Sequence, residues 1–208
     1  MAQVKGDSPP ERVTRANGEA SRRRILDAAR EIAGERGYAG TSISEVSKRS
    51  GLPNSSIYWH FKDKDALFAA VISDSYEQWR VDFDARAGEP RSTPGEVLAR
   101  LHESLSSFPE FLRFGLLVVL EQRDEEIGAR AEFLRIRRRA LKDLATIFER
   151  EARVDSVAAR HLAALALAMN DGAFVAGVAG ERTLSDSDSL GRAFDSVVDG
   201  ESNRRSGR

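Results

Sequence analysis

Apolar side chains recur every three or four positions along most of the chain, which is the spacing of a helix with one buried face. The first such stripe predicts a helix over 21–37, and another, from Leu67 to Phe83, predicts a helix over 64–86. No run of alternating apolar and polar residues indicates a strand. We therefore predict an all-α fold.

The second half of the chain continues the helical pattern. Thr93 is placed to cap a helix that Pro94 begins, because a proline suits the first helical position. Alanine, leucine, arginine and glutamate, which favour helices, dominate the segments that follow. The predicted helices of this half cover residues 94–107, 110–123, 129–153, 156–179 and 187–198.

Composition narrows the class of protein. The chain has 208 residues, of which 41% are apolar, enough for one large helical domain or for a small domain and a larger one. It has no cysteine, which excludes disulfides and thiol catalysis and fits a reducing cytosol. Residues 1–20 lack the apolar core of a signal peptide, and the most apolar stretch, 162–178, is interrupted by Asn170 and Asp171. We predict a cytoplasmic protein in which that stretch is a buried helix and not a membrane span.

The segment after the first helix predicts two short helices joined by a tight turn. Ser42 and Glu45 have the spacing of a capping box, which opens the first of them. Gly51 permits the positive φ angle that the turn requires. Ile57 and Phe61 are four residues apart and anchor one face of the second. This layout is a helix-turn-helix, which places its second helix in the major groove of DNA.

The opposite face of that second helix carries groups suited to reading and holding DNA. Asparagine pairs bidentately with adenine, and hydroxyl groups accept several bases. A lysine in the first turn of the next helix opposes the helix dipole, which is reasonable if a phosphate lies nearby. We expect contacts to base edges or nearby sugars from Asn54, Ser55, Ser56, Trp59 and His60. Phosphate contacts are expected from Tyr58 and Lys64, with Ser42 and Lys62 as further candidates.

The net charge of −1 is divided unevenly along the chain. Residues 1–64 hold 12 lysines and arginines against 8 acidic residues, a charge of +4, and the remainder holds 20 against 25, a charge of −5. A basic end on an acidic body suits a protein that meets DNA with that end only.

A specific motif follows the predicted turn. The pattern Tyr-x-His-Phe-Lys-x-Lys-x-x-Leu is met by Tyr58, His60, Phe61, Lys62, Lys64 and Leu67. Together with Arg36-Gly37-Tyr38 and Thr41-Ser42-Ile43, this pattern resembles the N-terminal domain of the TetR family of tetracycline-repressor-like regulators over about residues 22–71. Pro53 stands where the family more often has serine, and Asn54-Ser55-Ser56 where many members have Lys-Gly-Thr, so both departures bear on the operator sequence.

The resemblance implies an N-terminal three-helix DNA-binding domain and a C-terminal helical bundle that binds a ligand and dimerises. It implies a homodimeric repressor that binds a palindromic operator and responds to an unidentified small-molecule effector, without a cofactor. The predicted domains are a disordered arm at 1–20, the helix-turn-helix domain at 21–66, the effector-binding and dimerisation domain at 67–200 and a disordered tail at 201–208. The arm either follows phosphates or the minor groove, or is a solvated tail.

Aromatic side chains with a few polar groups suggest an effector pocket, although each also fits an ordinary core position. The pocket candidates are Tyr76, Trp79, Phe83, His102, Phe108, Phe111, Phe114, Glu121, Asn170 and Phe174. Small residues allow close helix approach, so we predict a four-helix dimer interface, with packing inside one subunit as the alternative. The interface candidates are Ala164, Ala168, Gly172, Ala176, Phe194 and Val197. The adjacent Asn170 and Asp171 line the pocket, cap a kink or pair across the dimer.

The sequence carries no pattern that favours an enzyme. Its three histidines are far apart, and we find no HExxH, GxSxG or phosphate-binding glycine loop, so we predict neither catalysis nor a metal site. Two alternatives to a repressor stay open. One is a helical ligand-binding or protein-interaction module with a non-functional DNA-reading head, and the other is an activator.

Overall fold

A computed structural model describes residues 11–86, 92–120, 128–181 and 186–206. Within these ranges the regular structure is helical and contains no strand, which confirms the all-α prediction. The helices are α1 (Glu11–Arg36), α2 (Ile43–Ser50), α3 (Asn54–His60), α4 (Lys64–Ala85), α5 (Pro94–Ser106), α6 (Pro109–Leu120), α7 (Gly128–Ile147), α8 (Ser156–Val178) and α9 (Ser187–Ser206). A π-helical turn, Phe148–Ala152, continues α7.

The head consists of α1, α2 and α3, and α4 joins it to the body, which consists of α5 to α9. Ile25 and Ala29 of α1, Val46 of α2 and Ile57 of α3 are buried together. The long apolar stripe of α4 continues this core into the body, from Leu67 at the head to Phe83 near its far end. The head and the body therefore share one continuous core.

The body is closed by a contact between its first and last helices. Gly95 of α5 lies directly against the backbone of Gly191 of α9, and a Cβ at Gly95 would come within 2.2 Å of the Gly191 carbonyl oxygen. Asp195 of α9 secures this contact by accepting the Gly95 N–H (2.7 Å) and the Thr93 hydroxyl (2.8 Å). Since these residues are about a hundred positions apart, the contact closes the bundle.

Two helices extend beyond their predicted ends. The helix α1 begins at Glu11, so residues 11–20 are helical and the predicted arm is corrected over that part, while residues 1–10 lie outside the described residues. No proline interrupts residues 11–36, and the single Gly18 costs only about 1 kcal/mol. The helix α9 continues to Ser206, again without an interrupting proline, which corrects the predicted disordered tail over 201–206.

Candidate nucleic-acid interface and internal cavity

The short helix α3 has one buried face and one exposed face. Ile57 and Phe61 are buried in the head, as the four-residue spacing predicts. On the other side Trp59 is 77% exposed and Tyr58 is 55% exposed, which is unusual for aromatic side chains of this size. Asn54, Ser55 and Lys62 are also exposed, and Ser56, His60 and Lys64 are half-buried.

The turn between α2 and α3 is held by α1. Gly51 has a φ of 67°, in the left-handed region that the turn requires. Arg24 of α1 donates a hydrogen bond to the carbonyl oxygen of Ser50 (2.6 Å), and the Ser47 hydroxyl donates to the carbonyl oxygen of Leu52 (2.6 Å). These contacts fix the direction in which α3 projects.

Ser42 forms the predicted capping box at the start of α2. Its hydroxyl accepts the Glu45 N–H (3.2 Å), and the Glu45 carboxylate accepts the Ser42 N–H (2.9 Å). The hydrogen bond from the Ser42 hydroxyl lowers the pKa of Glu45, as does its backbone hydrogen bond and, more weakly, the charge of Arg36. These contacts establish the capping role of Ser42. The residue is exposed, and its contact with a DNA phosphate stays a prediction.

Lys64 lies at the first position of α4, above the ring of Tyr38. Its Nζ atom is 4.2 Å from the ring centroid, which is a cation–π geometry. Asp63 caps α4 by accepting the Ala66 N–H (2.7 Å). The lysine is thus held next to the helix N-terminus, where both groups attract an anion.

A groove of about 420 Å³ lies between α1 and α3 and opens to solvent. The Trp59 ring forms one wall, 3.8 Å from where a Cβ at Gly18 would lie, and it packs edge-on against His60 with 4.6 Å between ring centroids. Burial lowers the pKa of His60, and the nearby charge of Arg22 lowers it further. The rest of the lining is polar: Asn17, Ser21, Ser55 and Ser56.

Inside the body, five helices line a small cavity of about 30 Å³. Its wall is mostly apolar, with Asn170, Asp171 and Arg137 as the polar members. The full lining comprises Tyr76, Trp79, Leu105, Phe111, Leu112, Phe133, Ile136, Arg137, Ala140, Leu167, Asn170 and Asp171. An apolar cavity with a few convergent polar groups is the usual form of a ligand site.

Glycine sets the position of one aromatic wall of the cavity. A Cβ at Gly115 of α6 would lie 2.0 Å from the Phe133 ring of α7, so only a glycine allows that ring to pack where it does. Phe133 then contacts Phe111 of α6, with 5.9 Å between ring centroids. The absence of one side chain on α6 therefore shapes the site.

Comparison with known proteins bears first on the head. Residues 25–71 match the family described as bacterial regulatory proteins, tetR family, and this segment contains the whole of α2 and α3. Over these residues the chain is similar to the TetR family. It is 32% identical over 124 residues to the HTH-type transcriptional regulator AcrR of Shigella flexneri, a match covering 58% of this chain and 57% of that protein. The matched region is thus little more than half the length of this relative.

Solved structures extend the likeness of fold to the body. A TetR transcriptional regulator from Legionella pneumophila superimposes with a TM-score of 0.70 at 16% identity, covering 84% of this chain and 95% of that one. The regulator FadR from Bacillus subtilis, solved in complex with stearoyl-CoA, gives a TM-score of 0.62 at 22% identity, covering 83% and 94%. At these identities the likeness shows the TetR fold alone.

The cavity brings together four of the ten predicted pocket residues, Tyr76, Trp79, Phe111 and Asn170. His102 lies behind the wall, bonded to Asn170. The other predicted residues lie elsewhere: Phe83 in an open cleft between α4 and α7, Phe114 against Phe68, Phe108 at the edge of the core, and Phe174 in a surface groove near α1. Glu121 lies outside the described residues.

Sequence reasoning missed the contribution of α7 to the cavity. Phe133 and Ile136 lie within the predicted helix 129–153, but periodicity indicates only which side of a helix is buried and not which partner that side faces. Arg137 was missed because an arginine is normally a surface residue. Its role becomes visible only through its ion pair with Asp171 of α8.

The predicted dimer residues divide into two groups. Ala164, Ala168 and Gly172 are exposed along one face of α8, Val197 is exposed on α9, and Ala176 is half-buried. Phe194 is 0% exposed and stacks on Phe148 with 6.1 Å between ring centroids, so its assignment to an interface is wrong. A large aromatic on an amphipathic helix is more readily accommodated in its own core than on a surface.

The helix α8 is the most apolar of the long helices in the described ranges. By length and composition α8 is the single helix in the described ranges apolar enough to cross a membrane, and 33% of its most apolar window is buried. Asn170 and Asp171 in its middle are bonded to other helices, as in a core helix.

Among the described residues, no group of three or more histidine or acidic residues is arranged to hold a metal ion.

Proposed function

We propose that this chain is a homodimeric transcriptional repressor that reads an inverted-repeat operator with α3 and responds to a small molecule bound in the body. The observation that carries the proposal is the two-sided character of α3. Buried Ile57 and Phe61 hold the helix rigidly, while an asparagine, a serine and two aromatic side chains face solvent. Such a surface suits the major groove of DNA, where Asn54 meets base edges and Tyr58 and Lys64 meet phosphates. Since its head matches a family of bacterial regulatory proteins, we propose that the chain acts in the cytoplasm.

The outer face of α8 supports the dimer. Ala164, Ala168 and Gly172 form an exposed row with little side-chain bulk, and a Cβ at Gly172 would meet no atom within 4 Å among the described residues. Val175 and Val178 add exposed apolar surface at the end of the same helix. A second copy of α8 would cover this face, and a two-fold axis would bring two heads to one side of the dimer, as half-sites one DNA turn apart require.

The contacts between head and body support a ligand response. Asp65, next to Lys64, accepts the backbone N–H groups of Gly128 (2.7 Å) and Ala129 (3.2 Å), the first residues of α7. The same helix contributes Phe133, Ile136 and Arg137 to the cavity. A ligand that displaces α7 would therefore act directly on the first turn of α4. A ligand with different affinities for the two arrangements changes DNA affinity by the corresponding factor.

Sequencing the genomic DNA that the protein retains tests the function. Fragmented DNA from the source genome is passed over immobilised protein, and the retained fragments are sequenced. We expect a few fragments that share an inverted repeat, and their loss with a protein carrying Asn54→Ala and Lys64→Ala together. Retention without a common sequence, or none, would contradict the proposal and favour a helical module whose head does not read DNA. A reporter fused to a retained fragment distinguishes repression from activation.

A further inference from the structure

The cavity in the body contains buried polar atoms whose hydrogen-bonding capacity is unused. Asn170 is 0% exposed and Trp79 is 5% exposed, and both line the cavity. Among the described residues, neither the Trp79 Nε1–H nor the Asn170 Nδ2 group meets an acceptor, and the Oδ1 atom of Asp171, on the same wall, accepts no hydrogen bond. An unpaired buried donor costs about 1–3 kcal/mol, so two of them in one small cavity call for an explanation.

The side chains that carry these donors are held by their neighbours. The amide oxygen of Asn170 accepts a hydrogen bond from His102 Nδ1 (3.0 Å), and His102 is itself buried. This bond leaves the amide nitrogen of Asn170 to serve another partner. The Trp79 ring stacks on Phe83 and packs at a tilt against Tyr76, with 5.4 Å between centroids in each pair. The donors are therefore set in place before any ligand arrives.

The charge balance of the cavity favours a neutral ligand. Arg137 and Asp171 are its two charged members, and they pair through Asp171 Oδ2, while Asp171 Oδ1 has no hydrogen-bond partner among the described residues. A ligand that carries a permanent cation or a carboxylate would find no uncompensated opposite charge in the cavity. Its binding would therefore bury an unpaired charge, which is strongly unfavourable. The aromatic and aliphatic remainder of the wall favours an apolar body.

The geometry also indicates where a ligand enters. An open cleft of about 300 Å³ between α4 and α7 shares Tyr76, Trp79 and Ala140 with the cavity wall. The cavity itself holds about 30 Å³, which is sufficient for a water molecule but not for an organic molecule. A ligand must therefore separate α4 from α7, the two helices joined through Asp65.

We propose that the cavity takes a compact, neutral and largely apolar molecule bearing an acceptor oxygen, which accepts hydrogen bonds from Trp79 Nε1 and Asn170 Nδ2. The proposal rests on the ligand response in the proposed function and names the chemistry of that ligand. Ketones, ethers and phenols of single-ring size belong to this class. Hydrocarbons of the same shape would leave both donors buried and unpaired.

Two probes of nearly equal shape test this selection. Acetophenone carries a carbonyl oxygen, and ethylbenzene has a methylene group in its place. The protein carries Trp59→Phe, so that buried Trp79 is its single tryptophan and its fluorescence reports on the cavity. We expect acetophenone to bind about tenfold more tightly than ethylbenzene, as the formation of one otherwise missing hydrogen bond predicts. Equal affinities would overturn the proposal.

Variants at the two donors locate the effect. Asn170→Asp keeps an oxygen for His102 but replaces the donor group with an acceptor, and Trp79→Phe keeps an aromatic ring without an N–H. Each should reduce the preference for acetophenone, measured for Trp79→Phe by ligand-induced shifts in unfolding temperature. Leu167→Met, on the same wall, is the matched control and should retain the preference. A preference that survives in both donor variants would contradict the assignment.

The failure of this proposal is distinguishable from the failure of the proposed function. If neither probe binds at millimolar concentration, the assigned ligand chemistry is wrong, whereas retention of specific genomic DNA by the unsubstituted protein, which keeps Trp59, would still support the regulator. If the unsubstituted protein retains no specific DNA but acetophenone is preferred, the cavity assignment holds and the proposed regulatory role is wrong.

Discussion

The head and the body differ in how far their functional residues are spread along the chain. The exposed face of α3 is formed within seven residues, Asn54–His60, and its anchors lie on or directly after the same short segment. The cavity in the body is formed by residues from Tyr76 to Asp171, on five helices. A surface built from one helix is set by local periodicity and a turn, whereas a cavity depends on how distant helices pack. The two regions therefore respond differently to substitution.

Phe194→Ala should give the largest effect and should act on the body. Phe194 is buried against Phe148, so its removal leaves a cavity that costs about 3–5 kcal/mol of the free energy of unfolding. Val197→Ala, on the exposed side of α9, is the control and should cost about 1 kcal/mol or less. Urea denaturation at two protein concentrations measures both. A loss confined to low protein concentration would return Phe194 to the dimer interface.

The head was the more predictable region because its signals are local. Ser42, Glu45, Gly51, Ile57 and Phe61 have the structural roles that their spacing predicts, as capping box, turn and buried anchors. Each role depends on contacts within a few residues or on the packing of one helix against the next. None of these roles requires knowledge of the complete fold. The DNA contacts themselves stay predictions, since exposure alone does not identify the atoms that touch DNA.

The body was predictable only as a set of amphipathic helices. The sequence suggested Phe194 for a dimer interface and Phe174 for the pocket, whereas Phe194 lies in the core of its own protomer and Phe174 lines a surface groove. The contact of Gly115 with Phe133 and the pair of Arg137 with Asp171 join residues 18 and 34 positions apart, and they depend on the packing of α6, α7 and α8. The packing of these helices determines which residues line the cavity. The sequence therefore indicated an aromatic site with a few polar groups, but only part of its lining residues.

Ala168→Glu should separate the dimer without unfolding the protomer. The substitution places a carboxylate in the middle of the exposed row on α8. In the proposed dimer, the two-fold axis would bring this carboxylate close to the same carboxylate of the second protomer, and their repulsion would cost several kcal/mol. Ala131→Glu, at an exposed position of α7, is the matched control and should leave the mass unchanged. Sedimentation velocity at micromolar concentration measures the mass. A dimer that persists in the Ala168→Glu variant would show that another face forms the interface.

Asn54→Ala and Lys64→Ala should weaken DNA binding in different ways. Loss of Asn54 should cost about 1–3 kcal/mol on the operator and relax the base preference at one position, because a base contact is removed. Loss of Lys64 should weaken binding to all sequences alike and reduce the slope of log affinity against log salt by about 1, because a phosphate contact is removed. Titrations by fluorescence anisotropy at several salt concentrations measure both effects. Lys142→Ala, exposed on α7, is the control, and an unchanged slope with Lys64→Ala would refute the phosphate contact.

His60 should give the smallest effect, as a dependence of stability on pH. Burial and the charge of Arg22 lower the pKa of its imidazole, so the unfolded chain takes up a proton more readily than the folded one. Stability should therefore decrease as the pH falls below the ordinary histidine pKa of 6.5 and be unaffected by this group above it. His60→Gln should reduce the difference between urea midpoints at about pH 7.5 and about pH 5.5. An unchanged difference would exclude His60 as its source.

The most direct test of the central claim is a hydroxyl-radical footprint of the dimer on a retained genomic fragment. If two copies of α3 read DNA from one side of a symmetric dimer, the footprint should show two protected half-sites about 34–36 Å apart, centre to centre. Both should weaken together with Asn54→Ala, and Ala168→Glu should abolish the paired pattern at concentrations where the unsubstituted protein gives it. A single protected site, or protection without a fixed spacing, would contradict the account of two coupled reading heads.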